Sequence, residues 1–291
     1  MKMTKSYIQQ HAKHFNFKQF IQEAFHEDVG DGDHTSIATI PKKHIGKMRL
    51  YVKEDGVLAG IEAAKEIFKF VDATFKFKAF FKDGDKVKKS DVAFEITGNS
   101  QKLLTTERLV LNIMQRMSGI ATHTAHLMNL CKGTNAKIID TRKTTPGFRF
   151  FEKWAVVIGG GANHRYGLFD MILIKDNHID FAGGITQAID AVHSYQKKNK
   201  KKLKIEVEVR TIKDVEKVVK HGGVHRVLMD NFSPSQTTKA LKMIGLKFET
   251  ESSGGITEKN ILKYAKTGVD YISVGALTHH VKSLDLSLKA H

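Results

Sequence analysis

The side chains of this chain that are equipped for chemistry stand where apolar runs stop. Arg142 and Lys143 follow the segment AKIIDT, His164 and Arg165 follow GGGAN, and Lys175 closes MILIK. Glu208 falls near the end of KIEVEV, and Asp230 ends RVLMD. Two glycine turns, ESSGG (251–255) and SVGAL (273–277), contribute Ser253 and Gly275. Arginine grips a carboxylate or phosphate through two parallel N–H donors, whereas lysine acts as a point charge. A lysine at the end of an apolar strand is costly to bury unless it is paired or binds an anion. Carboxylates at a pocket mouth bind sugar hydroxyls or a hard cation such as Mg2+; beside so many cations they also serve to neutralise Lys175 or Arg165. Backbone N–H groups in glycine turns bind phosphate. The set describes a pocket for a small ligand carrying several negative charges. GGGANHR does not match the dinucleotide fingerprint, and neither a P-loop nor a GxSxG nucleophile elbow is present.

These residues need elements to bring them together. From about residue 133, short β-rich segments alternate with helical ones. Strands are expected at 136–141, 171–174, 203–209, 226–229, 247–250 and 270–274, with helices near 184–198, 211–221, 234–244 and 257–266. Such alternation implies βαβ units and a parallel sheet. Arg142, Lys175 and Glu208 are spaced by 33 residues, and Asp230, Ser253 and Gly275 follow at 22, 23 and 22. Each falls at the C-terminal end of an expected strand, the edge where α/β folds collect their functional groups. Six strand ends converging on one face favour a barrel over an open doubly wound sheet. In IEVEV, Glu206 and Glu208 share the face opposite the valines, so both point inward if the valines pack on outer helices.

The first part of the chain reads as mixed α/β. Phe17, Phe20, Ile21, Ala24 and Phe25 give 15–27 a helical spacing. Strands are expected at 48–53 and 75–81, a DGD turn follows at 83–85, and 59–71 reads as a helix. Thr105 or Thr106 is expected to cap the helix ERLVLNIMQRM. Its apolar stripe is Leu109, Val110, Ile113, Met114 and Met117, with Arg108 and Asn112 on another face.

A formal charge of +16 has two readings: solvated lysines such as those of the 197–202 run, or an anionic partner such as nucleic acid or a polyanionic substrate. Position decides between them. The motif cations interleave with glycines and carboxylates at strand ends, and no recognised nucleic-acid module appears. No apolar run approaches the roughly 20 residues of a membrane helix, and MKMTKSYIQQHAKHFNF lacks the apolar core of a secretory signal. Cys131 is the single cysteine, so no intramolecular disulfide forms and a reducing cytoplasm is the expected compartment. Cys131 itself is expected in the core, the His279–His280 pair on the surface, and no His/Cys metal cluster is visible.

Nine segments, in order, carry a family resemblance: EDVGDGDHTS (27–36), ERLVLN (107–112) with SGIAT (118–122), DTRKTTPGFR (140–149), GGGANHR (159–165), ILIKDNH (172–178), EVEV (206–209), LMDNF (228–232), ESSGGI (251–256) and DYISVGAL (270–277). Spread over nearly the whole chain, they make it resemble the quinolinate phosphoribosyltransferase family, the decarboxylating nicotinate-nucleotide pyrophosphorylases. The resemblance implies an α/β fold with an N-terminal α/β sandwich-like domain, residues 1–115, to which the tail 281–291 returns. Residues 116–280 would form an incomplete α/β, TIM-like barrel. It implies a pentosyl transfer in NAD biosynthesis that joins quinolinate to 5-phosphoribosyl-1-pyrophosphate with Mg2+, giving nicotinate mononucleotide, pyrophosphate and CO2.

Carried over by position, Thr141, Arg142, His164, Arg165 and Lys175 would hold the two quinolinate carboxylates. Arg108 would reach into a neighbouring subunit's site, which makes a homodimer the minimum unit. Lys143 would contact the donor, and Glu208 and Asp230 would hold its ribose hydroxyls and Mg2+. Ser253, Gly254, Gly255, Val274, Gly275 and Ala276 would cradle its 5-phosphate. Lys175, Glu208 and Asp230 are the expected catalytic groups, and no general base is expected to be essential. Arg149 has no ligand role on this reading. A branch tied to molybdenum-transport operons and the nicotinate phosphoribosyltransferases use related scaffolds; Arg108, Arg142, Arg165 and Lys175 together favour a dicarboxylate acceptor.

Overall fold

The computed structural model describes residues 7–291; the first six, part of the stretch expected to carry no leader, lie outside the described residues. The chain divides into two compact units. The first runs to His123 and adds 145–160 and 280–291; the second holds 124–144 and 161–279. No helix among the described residues is long and apolar enough to cross a membrane.

The first unit begins with α1 (Tyr7–His11), α2 (Phe17–Val29) and α3 (His34–Thr39). Next come β1 (Ile45–Val52), β2 (Gly56–Val57), α4 (Ile61–Val71), β3 (Lys76–Ala79), β4 (Lys86–Val87) and β5 (Val92–Asn99). The long helix α5 (Ser100–Leu130) crosses the boundary at His123, so the expected division at 115/116 falls inside one continuous helix. Its stripe of Val110, Ile113, Met114 and Met117 is buried, while Arg108 and Asn112 are exposed. Thr105 and Thr106 do not cap it. The helix starts at Ser100, and the two hydroxyls donate to the carbonyls of Gln101 at 2.9 Å and Lys102 at 2.7 Å. A threonine satisfied by the i−4 carbonyl sits comfortably inside a helix, so residue type alone misplaces the start.

The second unit supplies β6 (Lys137–Ile139); α6 (Arg149–Ile158) then belongs again to the first unit, although its residues were expected in the barrel. The rest of the second unit is β7 (Ile172–Ile174), α7 (Asp176–Ala182), α8 (Ile185–Lys198), β8 (Ile205–Val209), α9 (Ile212–His221), β9 (Arg226–Asp230), α10 (Pro234–Ile244), β10 (Glu249–Ser253), α11 (Ile261–Ala265), β11 (Tyr271–Ser273) and α12 (Ala276–His279). The chain ends in β12 (Leu286–Ala290), which pairs antiparallel with β1 in a sheet ordered β12-β1-β5-β3.

Six strands of the second unit form one parallel sheet, β6-β11-β10-β9-β8-β7, with a further parallel bridge from Ile139 to Ala162. It is an incomplete barrel whose strand order follows the βαβ alternation. β10 starts two residues later than expected, because its register opposes Glu249 to Arg226 at the start of β9. It also continues through Glu251, Ser252 and Ser253, which have weak strand propensity, because the burial of Glu251 and Ser252 in a packed interior overrides it. Cys131 is buried, and His279 and His280 are exposed.

In the first unit the DGD turn has a specific task. Both carboxylate oxygens of Asp83 accept the N–H groups of Gly60, Ile61 and Glu62 at 2.6, 2.8 and 3.2 Å, capping α4 from a distance in sequence. Burial nonetheless pushes Asp83 above its ordinary range. Asp83→Ala would remove three hydrogen bonds from the start of α4 and should cost about 2 kcal/mol. Urea unfolding checks this; a loss within error of zero would contradict it.

Candidate active site

Parallel strands place their C-terminal ends on one edge, and six of the expected site residues stand there in the second unit. Arg142 lies just beyond β6, Lys175 follows β7, Glu208 is the penultimate residue of β8, Asp230 and Ser253 end β9 and β10, and Gly275 follows β11. Arg142, Lys143 and Lys175 are exposed, Glu208 and Asp230 half-buried, and Arg165 only 8 % exposed.

The cationic half is built on loops fastened from below. Buried Asp140 accepts the His164 amide at 2.9 Å and the Asn163 side-chain amide at 2.7 Å, which turns the glycine-rich loop toward β6. The Arg165 guanidinium donates to the Met171 carbonyl at 3.0 Å. Burial, and then the nearby charge of Arg142, lowers its pKa. Two guanidiniums that oppose each other's charge mark a place where an anion would be stabilised. The Thr141 hydroxyl accepts the Lys143 amide at 3.0 Å, and Thr278 donates to the Lys143 carbonyl at 2.7 Å. The Lys175 amide donates to His178 Nδ1 at 2.9 Å, fixing the start of α7 while the ammonium remains exposed. Arg149 heads α6 in the first unit, and Arg108 is exposed on the part of α5 belonging to that unit.

The second half is anionic and glycine-lined. Burial raises the pKa of Glu208, Asp230 raises it further, and Lys175 and the Asp176 amide oppose the shift. Two carboxylates that destabilise each other's charge call for a proton, a cation or hydroxyl donors between them. Asp230 accepts the Asn231 side-chain amide at 2.7 Å, and the Asn231 backbone donates to the Ser253 carbonyl at 2.9 Å. Gly254 and Gly255 both have positive φ, and a Cβ on Gly254 would run into Asn231, so this turn admits only glycine there. Buried Val274 donates to the Ile139 carbonyl at 3.0 Å and sets the turn of Gly275 and Ala276 beside Lys143.

Deeper in the barrel lies a layer that the strand-end pattern misses. Glu206 and Glu251 are fully buried. His164 Nε2 is 2.9 Å from Glu206 Oε2 and 3.6 Å from Glu251 Oε2. Arg226 reaches Glu251 at 2.9 Å and Glu249 at 3.1 Å, and lies over the Tyr271 ring at 3.9 Å. His164 is thus drawn inward toward the glutamates. His164, Glu206 and Glu251 have the outline of a metal trio, their ligand atoms lying within 4.8 Å. Yet His164 Nδ1 accepts the Arg165 amide at 2.7 Å, which leaves the proton on Nε2, and the cation at hand is Arg226. A protonated imidazole nitrogen is not a metal ligand. Arg226 was legible only as the first residue of a strand, and Glu251 only as part of a glycine turn.

A cationic half and a carboxylate-and-glycine half share one strand edge, the arrangement expected of a site that takes two anionic ligands. Comparison with known families gives that class its name. The model of the quinolinate phosphoribosyl transferase N-terminal domain matches residues 33–118, and that of the C-terminal domain matches 120–289. The chain belongs to the quinolinate phosphoribosyltransferase family. It is 44% identical over 290 residues to quinolinate phosphoribosyltransferase (decarboxylating) 1b of Nicotiana tabacum, covering 94% of this chain and 82% of the relative. It is 42% identical to the chloroplastic nicotinate-nucleotide pyrophosphorylase (carboxylating) of Arabidopsis thaliana, covering 94% and 83%. Among solved structures, the nicotinate-nucleotide pyrophosphorylase of Francisella tularensis superposes with a TM-score of 0.87 at 37% identity, over 94% of this chain and 96% of that one.

The buried layer makes a pH prediction. Burial, reinforced by Glu206, raises Glu251 from 4.5 to about 8. Between those values the folded protein keeps a proton that the unfolded chain has released, so stability falls as pH rises through this window. Glu251→Gln removes the titration. The wild-type thermal midpoint should fall more steeply between pH of about 5 and 8 than that of the variant; equal slopes would contradict the assignment.

Proposed function

We propose that the protein transfers the phosphoribosyl group of 5-phosphoribosyl-1-pyrophosphate to quinolinate, releasing pyrophosphate and CO2 and leaving nicotinate mononucleotide for NAD biosynthesis. The observation that carries the reading is the pairing of two opposite halves on one strand edge. Arg142, Arg165 and Lys175 suit a dicarboxylate, and Glu208 and Asp230 suit the hydroxyls and metal of a sugar-phosphate donor. Thr141 and His164 complete the acceptor side, His164 through the Arg165 peptide whose N–H its Nδ1 accepts. Lys143 faces the donor, and Ser253, Gly254, Gly255, Gly275 and Ala276 offer backbone N–H groups to its 5-phosphate, with Val274 holding the second turn in place through its bond to Ile139.

Mg2+ fits the donor set, since Glu208 and Asp230 are hard oxygen ligands whose mutual repulsion a cation would relieve. Bound there with the donor, it would offset the charge that builds on the departing pyrophosphate. The pyridine nitrogen attacks C1 of the ribose as the C1–O bond breaks, and pyrophosphate leaves with the bonding pair. Arg142, Arg165 and Lys175 hold the ring so that its nitrogen faces C1, and orientation of this kind supplies much of the rate. Once alkylated, the ring is a cationic pyridinium. It stabilises the electron pair left on C2 when the adjacent carboxylate departs as CO2, and a solvent proton then takes that pair. Lys175 and Arg142 meanwhile stabilise the remaining carboxylate. No side chain need act as nucleophile, and no general base is required.

Arg108 contributes to the site of a second copy, so the working unit is a homodimer or larger. The buried single cysteine suits a reducing cytoplasm.

Quinolinate, the donor and Mg2+ should yield CO2 and pyrophosphate in equal amounts, and nicotinate should not replace quinolinate. Absence of CO2 at saturating substrates would defeat the reading. Lys175→Ala and Arg142→Ala should each raise the quinolinate KM roughly a hundredfold, the scale of truncating one partner of a desolvated charge pair. An unchanged KM removes that residue from the acceptor site. Arg108→Ala mixed with Lys175→Ala should regain activity through hybrid dimers; no regain argues against shared sites.

A further inference from the structure

Glu206 Oε1, Glu206 Oε2 and Glu251 Oε1 are buried and accept no well-aligned hydrogen bond, although Glu206 lies in charge contact with His164. Buried carboxylates so poorly satisfied are expensive, and apolar side chains of similar volume would fill the same space at lower cost. Their retention calls for a task, and the geometry shows what they face. Arg226 holds them on the side of the strand N-terminal ends, with Nη1 2.9 Å from Glu251 Oε2 and 3.9 Å from Glu206 Oε1. On the other side is His164 Nε2.

His164 is fixed by its backbone as well. Its amide donates to Asp140 Oδ1, and its Nδ1 accepts the Arg165 amide. The second contact ties ring orientation to the peptide that carries Arg165, the most deeply buried acceptor cation. The other tautomer would put a protonated Nδ1 against the Arg165 N–H and an unprotonated Nε2 against Glu206. Both contacts are repulsive, so Glu206 and the Arg165 amide select the same tautomer.

We propose that Glu206 and Glu251, clamped by Arg226, are positioning residues for acceptor binding: they lock His164 in its Nε2–H tautomer and thereby set the peptide that presents Arg165. The proposal rests on the acceptor assignment above. The two glutamates act through His164 and do not touch substrate. Burial and the neighbouring Glu206 push Glu251 above the usual carboxylate range, while its Oε2 still accepts from Arg226 at 2.9 Å.

Two measurements test it. Nitrogen-15 NMR of the wild-type protein, with the resonance assigned through His164→Gln, should report His164 as the Nε2–H tautomer. A dominant Nδ1–H tautomer overturns the proposal, and this reading needs neither activity nor a core variant. Calorimetric titration with quinolinate should then show affinity about tenfold weaker in Glu206→Ala, donor affinity unchanged, and Glu206→Gln close to wild type, since an amide oxygen also accepts the imidazole N–H. In a His164→Ala background, Glu206→Ala should add nothing further, as expected for residues acting as a unit. Equal weakening for both substrates, or additive losses in the double variant, would make the cluster merely structural and overturn the proposal. If the wild type binds no quinolinate, the acceptor assignment fails instead, and the tautomer still decides the positioning claim.

Discussion

Placing ionisable side chains inside a parallel sheet imposes a requirement on everything around them, because a buried charge without a partner costs several kcal/mol. The second unit meets it in layers. Near the strand N-terminal ends, Arg226 bridges Glu249 and Glu251 and stacks on Tyr271. Next come Glu206, Glu251 and His164, then the strand-end groups Glu208 and Asp230. Each layer's charge is answered by the next, and two mismatches remain at the mouth: Arg142 against Arg165, and Glu208 against Asp230. Ligands of opposite charge relieve both. On the proposed reading, the site is pre-organised for one anionic acceptor and one metal-associated donor because each half lacks its counter-charge.

The same layering explains how short segments position a large site. The strands of the sheet are three to five residues long, too short to hold side chains precisely alone. Precision comes from hydrogen-bonded fasteners: Asp140 under the His164 loop, Asn231 binding the Ser253 turn, Thr278 on the Lys143 carbonyl, and Tyr264 donating to the Phe232 carbonyl at 3.0 Å. These groups touch no proposed ligand, yet they fix the peptide planes that do, which is how pre-organised electrostatics are maintained.

Much of this was legible because two signals agreed. Lys175, Glu208, Asp230 and Ser253 fall at strand ends, and apolar runs announce strand ends in sequence. The nine motif segments fixed the family independently. Three kinds of feature stayed hidden. The start of α5 was misplaced because Thr105 and Thr106 satisfy their hydroxyls within the helix. The strand character of Glu251 to Ser253 was missed because polar residues in a packed interior look like a turn. The trio of His164, Glu206 and Glu251 joins residues far apart in sequence, and pairing of that kind exists only once β8, β10 and the loop after α6 have been folded together. Arg108 is the converse case: plain as a cation off the apolar stripe, but with a proposed role that depends on a second copy.

The central claim is that the site has two separable halves, an acceptor half at 141–175 and a donor half at 208–276. Calorimetric titration of each substrate onto Lys175→Ala and Gly254→Ala tests it most directly. Lys175→Ala should lose quinolinate and keep the phosphoribosyl donor, and Gly254→Ala, whose new Cβ collides with Asn231 in the glycine turn, should lose the donor and keep quinolinate. If both folded variants lose the same ligand, or each retains both, the two-half account is wrong.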